Sequence, residues 1–566
     1  MSTWTRTTVG RRLGRLLRGE APSPPTTQAK PAAPRDGVAD VVADHLDGRT
    51  EAVVVLLGSN RPQLLQRLRT LGPGWTVLEV DDTDERACHL ELTLAGPVDV
   101  VVDRAQPAGR LVRFRDVFFH VRAGGVYVVP GGGTELGPEP GGLGRHLASA
   151  AALEAEPLRA PREGTRRVPE NIALAIRMHV QARTVGRHLV LSHDLPDVLS
   201  KLDEDEADAY LERLGGPHRV LLEIPAETPP DARVITEGPG TRARDMAAPI
   251  TQAAIRLRDY RDVVVDVEQL VLTDRVVLPD SYRHNQYARL VNRGIIDVSP
   301  RLGVPVRPVP DDLPLLEGTY LHLDNEIRGH FGHTLTEVLS RMWSWSAALE
   351  IDPDVKVLMT AARVRPELAE WELDFYETCG IPRDRILKLD GAARVERLLS
   401  GSPMFSNPQF VHPRILETWD RVGDTLAARA SDREWPSRIF IGRRLAKRAC
   451  LNAEEVEAVF AEYGFEVVYP EDLPLGDQVA MFRAADVVAG YAGSGMFHIA
   501  FVPHPLRVIQ ISSDGYTPRN EVLMSALRGH RIDAVVSAAQ AAGVQADFAV
   551  DLEREGPYLR SVLEAL

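Results

Sequence analysis

From residue 51 onward, short apolar runs alternate with stretches in which apolar residues recur every three or four positions. The run 52–59 (AVVVLLGS) predicts a buried strand, and 61–72 (RPQLLQRLRTLG) an amphipathic helix. Strands follow at 75–82 (WTVLEVDD) and 97–105 (PVDVVVDRA). The segment 110–125 (RLVRFRDVFFHVRAGG) predicts a helix stopped by two glycines, and 126–130 (VYVVP) another strand. Strand–helix alternation of this kind predicts a parallel, Rossmann-like sheet. A Gly/Pro-rich break at 131–145 ends it. Residues 150–260 carry helical patterns and an acidic run, and read as a connecting module.

A second alternating series begins near residue 261. Residues 262–281 are β-rich, 319–325 (TYLHLDN) predicts a strand, and 327–349 a long helix starting in the RGHFGH segment. Strands at 356–360 and 385–390 flank a helix at 366–379. A helical stretch at 413–430 leads, across a hinge near 425–437, to a strand and basic turn, SRIFIGRR (437–444). A helix, a strand and another helix lead to DVVAGYAGSGMFHIAFV (486–502), a strand, glycine turn and helix, and then the strand RVIQIS (507–512). The expected fold is α/β throughout. The boundaries are a basic tail and linker at 1–50, a Rossmann-like domain at 51–150, the connecting module at 151–260, and two lobes at 261–430 and 431–566.

A chain of 566 residues holds about three or four domains. Its 66 basic and 80 acidic residues leave a net charge of −14, which argues against general nucleic-acid binding. The three cysteines, Cys88, Cys379 and Cys450, are too far apart for a CxxC motif, which fits a reducing cytoplasm. No apolar run is long enough for a membrane span, and no secretory signal is evident. The first twenty residues carry Arg6, Arg11, Arg12, Arg15 and Arg18, with leucines between them. Two readings stay open: a solvated tail, or a basic helix making weak contact with an anionic membrane surface. The expected location is the cytoplasm, with a peripheral place at the inner face of the membrane under the second reading. Residues 21–34 are Pro/Ala-rich and read as a linker.

Three constellations can carry chemistry. A strand delivers the chain to Gly493-Ser494-Gly495, a turn opening a helix. Helix N-terminal amides and small residues suit a diphosphate, although a tight turn without a ligand reads the same way. Arg443 and Arg444 end a strand of the same lobe, where a doubly wound sheet binds its ligands. Guanidinium groups there suit pyrophosphate. Lys447 and Arg448 follow, and the alternative is a solvated basic loop. His330, His333 and Glu337 fall on one face of the expected helix. A histidine there can be a base, a structural residue or a metal ligand, but the spacing is not HExxH and no metal is expected.

The segment 97–130 resembles the later half of a class I methyltransferase. The matching cofactor turn is absent, since GSNRP follows the first strand where a G-x-G-x-G turn is needed. Residues 51–150 therefore read as a degenerate methyltransferase-like Rossmann domain.

Residues 262–530 resemble glycosyltransferase family 61. The resemblance rests on three collinear motifs: HFGHTLTEVLSRMW (330–343), IFIGRR (439–444), and the segment 465–503 containing GYAGSGM. It implies two Rossmann-like lobes in a GT-B arrangement, with the N-terminal Rossmann-like domain as an addition. It implies an inverting glycosyltransferase, a hexosyl- or pentosyltransferase acting in surface polysaccharide assembly. The donor would be a nucleotide-diphosphate sugar, the acceptor a glycan or other hydroxyl, and no cofactor would be needed. His333 and Glu337 would be the catalytic pair. Arg443, Arg444, Lys447, Gly493, Ser494 and Gly495 would hold the donor. Ala492 and Gln510 stand where the family often has a histidine and an acid. The rival readings are methyl transfer from S-adenosylmethionine by residues 51–150, and a non-catalytic binding or scaffold protein.

Overall fold

Strands buried on both faces are written in the sequence as near-continuous apolar runs, and most of those expected here form. The computed structural model describes residues 37–58, 62–105, 109–134, 142–154, 156–158, 168–237, 246, 248–284, 290–361, 367–444, 447–516 and 519–566. The basic segment 1–20 and the linker after it lie outside the described residues. No helix among the described residues is long and apolar enough to cross a membrane. The chain divides into two compact units. The first comprises Met1–Gly216, Leu270–Ser281 and Leu290–Asp311, and the second Pro217–Gln269, Tyr282–Arg289 and Asp312–Leu566.

In the first unit, β1 (Ala52–Leu57), β2 (Trp75–Val80), β3 (Val98–Asp103) and β4 (Val121–Val129) run parallel in the order β2-β1-β3-β4. The hairpin β5 (Val180–Val185) and β6 (His188–His193) then pairs antiparallel to β4 and completes a six-stranded sheet. The expected connecting segment at 151–260 is thus shared: residues up to Gly216 belong to the first unit, and those from Pro217 to the second. The helix expected over 110–125 ends at Val117, with a short 3-10 turn over Phe118–His120. Residues 121–125, including both glycines, enter β4. Gly124 has φ +78° and the pairing shifts between Val98 and Val100, so these glycines make a strand irregularity. A Cβ on Gly125 would lie 2.6 Å from the Asp99 carbonyl.

The second unit holds two large sheets and a two-stranded ribbon, Phe405–Ser406 with Phe410–Val411. One contains β8 (Ile255–Asp266), β9 (Leu315–His322), β10 (Lys356–Thr360), β11 (Ile386–Leu389) and β12 (Ala393–Gly401), in the order β8-β12-β9-β10-β11. The other contains β13 (Arg438–Ile441), β14 (Glu466–Val468), β15 (Val487–Tyr491), β16 (Arg507–Ser513) and β17 (Arg531–Ser537), with β7 (Arg233–Glu237) at its edge. Its order is β14-β13-β15-β16-β17-β7, parallel throughout. Alternate residues of this sheet face two cores. Ile439, Val488 and Val508 join a cluster that also holds Leu321, Val357 and Leu399 of the other sheet, while Phe440, Ile509 and Ile511 face the opposite layer. One continuous core therefore ties both sheets of this unit.

Several histidines are buried as neutral rings. His89 Nδ1 lies 2.9 Å from His120 Nε2, and His89 Nε2 lies 3.2 Å from the Lys201 carbonyl. The carbonyl needs a donor, so His89 carries its proton on Nε2 and accepts from His120 at Nδ1. Burial pushes His120 down to about 3, and Arg275 adds to the effect. In the second unit, burial pushes His498 and His530 down to about 4. Such groups bind more protons unfolded than folded, so the stability they support is lost as pH falls from the usual histidine range through 4. The shifts of His498 and His530 are each worth about 3 kcal/mol when complete, and that of His120 about 5 kcal/mol. Thermal unfolding between pH 7 and pH 4 should show a steep loss of stability. A His498→Phe variant, placed among Phe331, Phe482 and Phe501, should lose less. An unchanged slope in that variant would exclude His498 as a contributor.

Candidate functional site

The loop after β9 is fixed by buried polar contacts. Asp324 accepts from the Thr360 hydroxyl at the end of β10 and from the Asn325 amide at 2.9 Å. Burial raises its carboxyl to about 6. Arg328 donates to the Thr360 carbonyl at 2.9 Å and lies 3.7 Å from Glu372, both side chains being fully buried. Glu372 also accepts from the Gly329 amide at 3.1 Å.

From this anchored loop the chain winds into the segment that the sequence predicts as one long helix. It forms instead an α turn at Phe331–His333, a π-helical turn at Thr334–Val338 and a 3-10 turn at Leu339–Arg341. A regular helix resumes at Ser344–Ile351. A π turn is a wide one, and such turns favour functional sites.

Glu337 sits in the π turn and is 5% exposed. Arg283 grips it with two donors, Nε to Oε2 at 2.9 Å and Nη2 to Oε1 at 2.7 Å. Asn325 Nδ2 donates to Oε2 at 2.6 Å, and His333 Nδ1 lies 2.9 Å from Oε1. Burial alone would raise this carboxyl, but Arg283 and His333 outweigh it and hold it well below the usual carboxylate range. An ionised carboxylate has no proton to give, so His333 carries its proton on Nδ1. Arg283 Nη2 also lies 3.3 Å from that nitrogen, but a protonated Nδ1 cannot accept from it. The ring of His333 is half-buried. His330 is exposed, with its ring centroid 4.8 Å from that of His333.

The glycine turn follows β15. Gly493 has φ +140°, and Ser494–Phe501 continues as a 3-10 helix. The two motifs meet at Gly332, where a Cβ would lie 2.9 Å from Ser494 Cβ and 3.0 Å from the Phe497 ring. Beside them Phe331 stacks on His498 with centroids 5.4 Å apart. Arg443 reaches the same turn. Its Nη2 donates to the Ala492 carbonyl and Nη1 to the Arg448 carbonyl at 3.2 Å, and a Cβ on Gly493 would lie 2.8 Å from Nη2. Burial, then Arg448, lower the guanidinium from its ordinary value.

The other expected donor residues are less converged. Arg444 is exposed, pairs with Asp472 at 2.7 Å and covers the Tyr469 ring at 3.9 Å. Lys447 is exposed. Arg448 lies over the Tyr516 ring at 3.9 Å. The Gly493 amide is already used: it donates to Glu521 Oε1 at 2.7 Å. Gln510 is fully buried, with neither amide atom hydrogen-bonded among the described residues. Sequence reasoning missed Arg283, Asn325, Tyr516 and Glu521. Only the position of Asn325, three residues beyond the end of β9 and just before the RGHFGH motif, offered a signal.

In the first unit Asp103, the acid at the tip of β3, is fully buried. It accepts from the Tyr127 hydroxyl at 2.8 Å and lies 3.5 Å from both Arg110 and Arg113. A Cβ on Gly58 would meet the Ala105 backbone at 2.7 Å.

Residues 331–509 match the family model described as Glycosyltransferase 61. No curated protein matches the chain. Among solved structures, the MycE methyltransferase from the mycinamycin biosynthetic pathway, in complex with Mg and SAH, is similar at 16% identity and a TM-score of 0.22, over 27% of this chain and 49% of that one. A second structure of that enzyme, with Mg, SAH and mycinamycin VI, gives 16% identity and a TM-score of 0.20, over 27% and 45%. The chain thus spans about half the length of these structures, and a likeness so slight says nothing of cofactor or activity.

Gly332→Ala should force the His333 segment away from the glycine turn. Overpacking of this kind costs roughly 1–3 kcal/mol, readable by chemical denaturation. A variant as stable as the parent would mean that the two motifs are not held in contact. Arg283→Met leaves the Glu337 carboxylate buried without its cation and should cost about 3–5 kcal/mol. A cost under about 1 kcal/mol would show that the pair is solvated.

Proposed function

We propose, since residues 331–509 match the model of glycosyltransferase family 61, that this chain is an inverting glycosyltransferase. It moves a sugar from a nucleotide-diphosphate donor to a hydroxyl acceptor, in assembly of a surface polysaccharide, with the two sheets of the second unit acting as GT-B lobes. The observation that carries this reading is the Glu337–His333 pair, borne by a segment that touches the glycine turn at Gly332.

The reaction is a single displacement. The acceptor oxygen attacks the anomeric carbon and its proton passes to His333 Nε2, while the bond from that carbon to the diphosphate oxygen breaks. Glu337 holds the ring and stabilises the imidazolium that forms, as a carboxylate does behind a catalytic histidine. Arg443 and the amides of Ser494 and Gly495 stabilise the departing diphosphate. Arg444 and Lys447 add positive charge from the same loop.

Stabilisation of the protein by a nucleotide sugar in a thermal-shift panel is the first test. If S-adenosylmethionine stabilises it instead, the methyl-transfer reading stands, and if neither does, the scaffold reading stands. Arg443→Ala should weaken nucleotide-diphosphate binding by roughly 1.5–3 kcal/mol without unfolding the chain. Unchanged affinity in titration would remove Arg443 from the donor site. His333→Ala should lower turnover by roughly 10²–10⁴-fold and barely alter donor affinity. Near-normal turnover would make the histidine structural. Glu337→Gln, which keeps an acceptor for Nδ1, should retain partial activity, and complete loss would make Glu337 the base.

A further inference from the structure

Glu521 lies in the first turn of the helix Asn520–Arg528 and is fully buried. Oε1 accepts the Gly493 amide at 2.7 Å. Oε2 is buried and accepts no hydrogen bond among the described residues. Among the described residues, the charged or titratable groups that face the carboxyl are Arg443, Arg448 and Tyr516. Both guanidinium groups have other work, Arg443 on the Ala492 and Arg448 carbonyls and Arg448 over the Tyr516 ring. Burial therefore prevails over the amides and the two arginines, and pushes the carboxyl up to about 7.

We propose that Glu521 is a proton-linked latch on the donor turn: its carboxylate holds the Gly493 amide, and a diphosphate that takes this amide leaves Glu521 as the protonated acid. The proposal rests on the donor reading of the glycine turn. A diphosphate brings negative charge to Arg443 and to the Gly493 amide, the groups that support the carboxylate. Two like charges in a desolvated site cannot both persist, and the carboxyl takes the proton. The step moves one proton from solvent to Glu521 and makes no other bond. The new O–H gives Oε2 a hydrogen to donate to a phosphate oxygen. Binding then raises the affinity of Glu521 for its proton, so by linkage donor affinity is greatest below about pH 7 and declines above it.

The test is calorimetric titration of the full chain with UDP-glucose and GDP-mannose, diphosphate diesters with no phosphate group that titrates near neutrality. Heats in buffers of different ionisation enthalpy count the protons taken up. The parent should take up close to one proton per bound donor at pH 8, with affinity declining by up to tenfold per pH unit. Glu521→Gln keeps an acceptor for the Gly493 amide but cannot titrate, so it should take up none and show a flat profile. Equal uptake in parent and variant, or none in either, would overturn the latch while leaving the donor site intact. Failure of every nucleotide sugar to bind the parent would overturn the donor reading and the latch together. If the variant does not fold, infrared difference spectra of the parent decide the matter. The carboxylic-acid C=O band should grow as donor is added at pH 8, and its absence would sink the proposal.

Discussion

The carboxylate of Glu337 is out of water, and every group that makes this tolerable comes from a different piece of chain. Arg283 supplies two donors, Asn325 a third and His333 a fourth. A buried charge stripped of its partners is costly, so each of those pieces is held where it is by the same carboxylate. The loop after β9 cannot move without withdrawing Asn325. The segment carrying Arg283 is pinned in turn by Ser406, whose hydroxyl donates to the Arg283 carbonyl at 3.0 Å and lies 2.9 Å from His284 Nδ1. Burial, geometry and charge state are therefore set together, and the tautomer of His333 follows from them.

A histidine fixed in this way is useful only if something can be brought to it. Absence of side chains achieves the approach. Gly332 lets the backbone before His333 come against Ser494 and Phe497, and Gly493 leaves room for Arg443. Apolar packing then locks the arrangement, since Phe331 stacks on His498 in the helix that follows the turn. The strain of close approach and the reward of ring burial fall on adjacent residues.

The alternation of strands and helices was legible because parallel strands covered on both faces must be apolar throughout. Runs such as residues 52–57, 487–491 and 507–512 admit little else. Residues 121–125 were misread because paired glycines usually stop helices. Here they serve a strand irregularity that depends on the neighbouring strand, which no local pattern shows. The edge strand Arg233–Glu237 was missed for a related reason: it is short, and Ile235 is exposed. The π turn was hidden because a single wide turn of five residues is too short to change the apolar pattern around it. At the site, His333 and Glu337 stood out by spacing and by family resemblance. Arg283 and Glu521 did not, because a lone arginine or glutamate carries no pattern, and their partners lie 54 and 28 positions away.

The two buried glutamates show what composition alone conceals. Glu337 and Glu521 are the same residue type at similar burial, yet their acidities move in opposite directions. Around Glu337 a guanidinium spends two donors on the carboxylate itself, and that outweighs desolvation. Around Glu521 the guanidinium groups spend their hydrogen bonds on carbonyls, and desolvation prevails. What decides the charge is thus the direction in which the nearest cations donate, more than their number. One carboxyl is thereby fixed as an anion that holds the His333 ring. The other is left close to its titration point beneath the turn, where a change in the surrounding charge can change its state. Separating a permanent charge from a responsive one in this way gives the second unit a rigid side and an adjustable side, built from the same functional group.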